Sequence, residues 1–430
     1  MAQYNTDING LIPKSNTNFE VVIFADVDGS IITPGKTAKE QLDAFGRLRV
    51  SNPITLFDST HNFSKNEDLW NYVANGAGIS VHQANQSSVI LSTTANTGDF
   101  SIKQSKEYFR YQPGKSQLIL ATYVCGGSHA NNSQKIGYFD NNNGVYYEYA
   151  NTTSYMSIRS NTSGTIIDNR ISQTDWNLDK LDGTGKSGIT LNPEKAQILL
   201  IDLEWLGVGI VRTGFVIDGS VIYAHQFNHA NLINTVYMQT AQLPVRYEVI
   251  NSGATANSTH LKTICATVVS EGGYEQDRGK KFSISNGVNR KTISTTLTPI
   301  LSIKPNTHYS GVENRIKNIL DEYTVYPEAA VLVQLIYNGT LTNASWSAVS
   351  SNSGMLYDTS ANNISGGRVI DSVYIPSTTQ SKISIGELFN YTLPITINYH
   401  ANSADVLTIS AQTFTSTTLA AGTFSWRELI

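Results

Sequence analysis

Charge is what this sequence has least of. Asp, Glu, Lys and Arg make up only 15% of its 430 residues, and the formal net charge is −4. No basic field is present to attract a nucleic acid. Cysteine is almost absent: Cys125 and Cys265 are the only two. Each lies in a strand-like run, which suggests buried, reduced thiols from a protein made in a cytoplasm rather than a disulfide framework. No apolar run approaches ~18 residues, so no transmembrane helix is expected. The opening stretch MAQYNTDINGLIPK lacks the apolar core of a signal peptide. Helix-period patterns are scarce as well. What replaces charge is Ser, Thr, Asn and Gly together with 22 Tyr, a composition suited to β-sheet faces and turn-rich loops.

The densest signal lies in residues 171–231. Residues 198–206 (ILLIDLEWL), 209–217 (GIVRTGFVI) and 220–227 (SVIYAHQF) read as successive strands. Asp218-Gly219 marks a hairpin between the last two, because Gly accepts positive φ. Upstream, residues 171–193 form a polar loop anchored by Trp176. Other strands are expected at 116–125, 135–140, 145–149, 155–159, 245–251 and 261–269, with Asn141 to Gly144 as a turn. A short strand is expected at 19–24 and a helix at 37–45.

These runs imply an all-β protein of tandem antiparallel β-sandwich domains, jelly-roll or concanavalin-like, carried on an N-terminal arm. The expected boundaries are an arm or attachment segment at 1–43, a central sandwich at 44–273, a linker at 274–290 and a C-terminal sandwich at 291–430. In the last, strands are expected at 291–303, 329–337, 395–399, 406–414 and 423–429, with a marginal helix at 312–321.

Three patterns could carry chemistry. Asp26-Val-Asp28-Gly29-Ser30 after an apolar run is similar to the first motif of haloacid-dehalogenase-type phosphatases, where two Asp flank a Mg²⁺. The β-rich chain that follows lacks the βα units and later acidic pair of that fold. A turn in which Asp26 and Asp28 hold Ca²⁺ weakly explains it more simply. Asp202 and Glu204 alternate along one strand, like the carboxylate row of sandwich-fold glucanases. Leu200 stands where the nucleophile would be, so a structural role is expected for both acids. The Tyr- and Asn-rich hairpin at 138–149 and the loop at 175–182 offer rings and carboxylates to a sugar or a protein partner. The candidates there are Tyr146, Tyr147, Trp176, Asp179 and Asp182. No zinc spacing, phosphate loop or catalytic triad is evident. No catalytic residue and no cofactor are assigned.

Six stretches taken in order carry a family resemblance: 44–57 (AFGRLRVSNPITLF), 111–120 (YQPGKSQLIL), 136–140 (IGYFD), 173–183 (QTDWNLDKLDG), 202–219 (DLEWLGVGIVRTGFVIDG) and 243–251 (LPVRYEVIN). Together they resemble a family of virion structural proteins of tailed bacteriophages, including marine T4-like phages, with relatives in large algal viruses. The resemblance spans residues 44–273 and implies a non-enzymatic virion component assembled in the host cytoplasm. It implies display on the particle as a capsid decoration or fibre, or as a neck or tail accessory. Expected partners are copies of itself, with a trimer as first guess, and other virion proteins. A lectin-like module reading host surface glycans is the alternative. No nucleic acid and no membrane insertion are expected.

Overall fold

The computed structural model describes residues 53–127, 129–273, 279–377, 381–384 and 394–429. The arm, the strand expected at 19–24, the helix expected at 37–45 and the Asp26/Asp28 turn lie outside the described residues. Within them the chain is all-β. Its antiparallel strands are relieved only by 3₁₀ turns, such as Ala84–Gln86 and Gln173–Asp175. No helix among the described residues is long and apolar enough to cross a membrane.

The first sandwich packs an eight-stranded sheet on a seven-stranded one. In the eight-stranded sheet, Ser116–Cys125 lies between Gln197–Leu203 and Thr259–Glu271. Gln197–Leu203 pairs onward with Val211–Ile217, Ile198 opposite Val216, and Val211–Ile217 with Ser220–Phe227. This is the meander expected from the sequence. Asp218 and Gly219 turn it at φ 51° and 79°, the two positive values that a tight two-residue hairpin requires. Side chains alternate across the strand. Leu199, Ile201 and Leu203 enter the core, while Asp202 lies on the other face.

The seven-stranded sheet runs Ile167–Ser172, Thr153–Ser160, Gly144–Ala150, Asn132–Phe139, Val245–Asn251, Phe100–Ser105 and Trp70–Asn75. Aromatic rings bind the two sheets together. Tyr147 meets Tyr123 at 5.7 Å and Phe215 at 5.5 Å, and Trp70 meets Phe57 edge-on at 5.4 Å between centroids. Such offset and edge-to-face contacts add to the free energy of area burial.

The second sandwich has its own core of Trp426, Phe424, Tyr323, Val333 and Ile409, between a five-stranded and a six-stranded sheet. Four expectations are corrected here. Residues 312–321 are not helical: they hold the short strand Val312–Glu313 and the start of Lys317–Pro327, which pairs with Thr418–Leu429. Lys280–Ser285, placed in the linker, is a strand on that same Thr418–Leu429. Residues 291–303 divide into Lys291–Ile293 and Thr298–Pro305. Residues 395–399 contribute only the single bridge Ile397 to Ala404. In each case a partner about 100 residues away or a local break outweighed the local pattern, as strand pairing regularly does.

Both cysteines are free, Cys125 buried and Cys265 partly so. Burial pushes the Cys125 thiol well above its ordinary range, which makes it a poor nucleophile.

Candidate functional site

Among the described residues, the outer face of the seven-stranded sheet gathers a cluster of buried charged side chains. The strand register sets it out in rows. One row runs Tyr155, Glu148, Lys135 and Glu248 across four neighbouring strands. The next runs Arg170, Ser157, Tyr146, Gly137 and Arg246, and a third carries Asp168 and Arg159 beside Gly144 and Phe139. These side chains share a face because alternate residues of every strand, Tyr147, Tyr138 and Tyr247 among them, point into the core.

Each acid has a cation. Glu248 accepts from Lys135 Nζ at 3.3 Å and from Arg246 Nη2 at 2.5 Å. Glu148 accepts from Ser133 Oγ at 2.6 Å and Arg170 Nε at 2.7 Å. Asp168 takes a two-pronged pair from Arg159, at 2.8 and 3.0 Å. Burial alone would raise the Glu248 carboxyl, but Arg246 and Lys135 beside it override that and hold it at about 2. Asp168 is likewise held low by Arg159 against the effect of burial. The rings of Phe139 and Tyr146, 4.8 Å apart, fill the space over Gly137, and Arg246 and Arg159 lie over them. At one border Tyr399 of the second sandwich closes the cluster, bonded to Arg246 and to Asn141 Oδ1 at 3.1 and 3.0 Å.

The chemistry of this face follows from that geometry. Glycoside hydrolysis needs one carboxyl that is protonated near neutral pH. Glu248 is the reverse, an anion stabilised by two cations. Glu148, 4% exposed, has a hydroxyl and a guanidinium on its two oxygens.

The residues singled out in the sequence fall in different places. Tyr146 is fully buried within the charged cluster, and Tyr147 is fully buried in the core, its Oη 2.8 Å from Ser154 Oγ. Trp176 is buried too and donates Nε1–H to the carbonyl of Ile171 at 3.2 Å. Interior placement removes these three rings from stacking on a ligand. Asp179, 5% exposed, accepts from the backbone N–H of Leu181 and of Ser187, tying the loop to itself. Asp182 is exposed and capped by Thr184. That hydroxyl and N–H hold its carboxyl below the usual range. No three His, Cys, Asp or Glu side chains among the described residues form a metal cluster.

Asp202 has no exposure; it pairs with Arg212 and accepts from Tyr223 Oη at 2.9 Å. Glu204, expected on the same strand, lies one residue beyond its end at Leu203. The charged face itself went unread in the sequence. Its signal was the alternation Arg246-Tyr247-Glu248-Val249, in which a strand carries opposite charges on one side and core residues on the other.

Neither a protein-family model nor a curated protein matches the chain. Solved structures do. A β-1,3-1,4-glucanase (lichenase) from a mouse hindgut metagenome matches at 9% identity and TM-score 0.32, covering 49% of this chain and 97% of its own. An endo-acting O-glycanase of the human gut microbiota matches at 11% and 0.37, covering 50% and 99%. A legume lectin-like domain from Entamoeba histolytica matches at 9% and 0.31, covering 50% and 97%. At such scores no residue role or activity passes to this chain.

Proposed function

We propose that this chain is a non-enzymatic structural component of a tailed-phage particle, displayed on the particle surface and held by self-association and shell contacts. The observation that supports it is the ion-paired outer face of the seven-stranded sheet. Its carboxylates are bound by Lys135, Arg246, Arg170 and Arg159, and its ring Tyr146 is covered. A face built this way stiffens a sandwich, and its acids Glu248, Glu148 and Asp168 are each occupied by a cation. The two sandwiches are also joined by charged contacts, Lys317 to Glu107 and Arg368 to Asp68, as suits a displayed module. The six ordered stretches of virion-protein resemblance give the setting, and closed symmetry is the usual way such proteins meet.

The test removes residues 1–18 from the full chain. The truncated protein should remain folded by circular dichroism and lose its incorporation into particles assembled in an infected or reconstituted system. The full chain should run as an oligomer in light scattering. A full chain that stays monomeric at high concentration, together with a truncated chain that still mounts on particles, would refute both parts.

A further inference from the structure

Two end strands of the first sandwich are finished differently. Ser220–Phe227, at one end of the eight-stranded sheet, is covered by a loop. The N–H groups of Leu178 and Asp179 both donate to the carbonyl of Ala224 at 3.1 Å, and the Asn177 side chain bonds the Gln226 N–H and carbonyl, each at 2.9 Å. Ile167–Ser172, at one end of the seven-stranded sheet, has no such cover among the described residues. Its main chain pairs with Thr153–Ser160 on one side, and beyond that pairing only the Ile171 carbonyl is engaged, by Trp176 Nε1. Ile167, Asp168, Asn169 and Arg170 are all exposed, Ile167 at 57%. An open edge of this length is a template for another strand unless something blocks it.

We propose that two copies of this chain join edge to edge through Ile167–Ser172, antiparallel about a two-fold axis at Asn169, so that their two seven-stranded sheets become one. The residue order of the strand carries the argument. In a continuous sheet, residues opposite one another lie on the same side, so the axis falls on a residue: Asp168, Asn169 or Arg170. Centring on Asp168 sets two carboxylates face to face, and centring on Arg170 two guanidinium groups, both unfavourable. Centring on Asn169 sets Asp168 of each copy against Arg170 of the other, and Ile167 against Ile171. On the outer face this continues the alternation of charge already there, from Arg159 to Asp168 and on to Arg170 and Glu148 of the second copy. The Asp168 and Arg170 side chains are 29% and 38% exposed. Arg170 gives Glu148 its Nε–H and leaves both terminal nitrogens without a hydrogen-bond partner among the described residues. On the inner face Ile171 already packs against the core, and Ile167 of the second copy lengthens that apolar row. A strand reading apolar, acid, amide, base, apolar complements its own inverted copy, as an isologous contact requires. That self-match selects a second copy over an unrelated strand. The inference deepens the self-association proposed above and rests on that part alone; it needs neither the arm nor the phage setting.

Sedimentation velocity of the full chain over a concentration series at neutral pH tests it. The wild type should form dimers reversibly. Asn169→Lys and Asn169→Asp each place like charges on the axis and should each weaken the dimer at least about tenfold. An equimolar mixture of the two variants should restore it, because the mixed pair sets Lys against Asp. Circular dichroism melts of both variants should match the wild type, since Asn169 is exposed. A wild type that stays monomeric would overturn this inference together with the self-association above. Association undiminished in both single variants, a closed trimer, or a mixture no stronger than either variant alone would overturn this edge contact and leave self-association standing.

Discussion

Replacing His225 with Gln should make the first sandwich markedly more resistant to acid. His225, 6% exposed, sits on the strand Ser220–Phe227, its ring 4.5 Å from that of Phe227. Burial lowers its pKa to about 4. The hydrogen bonding agrees, because the backbone N–H of Asn177 donates to Nδ1 at 3.3 Å, a bond that a protonated Nδ1 could not accept. The unfolded chain takes up this proton near pH 6.5 and the folded chain only near 4. A base with a depressed folded pKa costs no stability above the unfolded value and becomes destabilising as the pH falls below it. Between about pH 7.5 and pH 4.5 the gap of about two pH units at 1.36 kcal/mol each amounts to about 2.7 kcal/mol. Gln retains an acceptor for the Asn177 N–H and cannot titrate. Urea unfolding followed by tryptophan fluorescence should therefore give wild type and His225→Gln similar midpoints at about pH 7.5, with the variant ahead by about 2–3 kcal/mol at pH 4.5. His61 and His229, also lowered by burial, are present in both proteins and cancel. Parallel stability curves over this range would refute the reasoning.

Two further substitutions probe the packing. Asp202→Asn keeps the shape of the side chain but takes from the buried Arg212 its carboxylate. It should cost about 3 kcal/mol in urea unfolding, since breaking one side of a buried pair leaves a charge in low dielectric, and a cost below about 1 kcal/mol would show the pair to be well solvated. Gly137→Ala should be at least as damaging. A Cβ there would lie 2.4 Å from the carbonyl oxygen of Val145 and 2.6 Å from Tyr146 Cα. The backbone cannot move without breaking the row that holds Tyr146 and Arg246, and a loss of about 3 kcal/mol in unfolding free energy is expected. An unchanged midpoint would mean that the strand Asn132–Phe139 shifts freely against Gly144–Ala150.

Local pattern by itself determined a large part of this molecule. Residues 116–125 and 245–251 are strands with the bounds read from their apolar and β-branched runs, and Asp218-Gly219 turns the hairpin where it was placed. These features are legible because strand periodicity and positive-φ turns depend on neighbouring residues alone. Which ring faces which way was not legible. Tyr146 and Tyr147 are adjacent and both fully buried. Both faces of the strand Gly144–Ala150 are covered, so no polar alternation distinguishes the core face from the charged one. The charged face itself comes from strands distant in sequence, Glu148 and Glu248 meeting through Lys135 between them. The misread helix at 312–321 has the same cause, because its strand partner lies about a hundred residues on at Thr418–Leu429. Tyr374 and Phe414 are ordinary aromatic residues in the sequence. Tyr374 stands on the edge strand Arg368–Ile375 and Phe414 in the bend after Leu407–Thr413, and it is this placement that leaves their rings in water. Sequence thus determined many of the strands and turns, and tertiary pairing decided which side chains became core, ion pair or exposed ring, because a side chain's environment is set by the strands laid beside it.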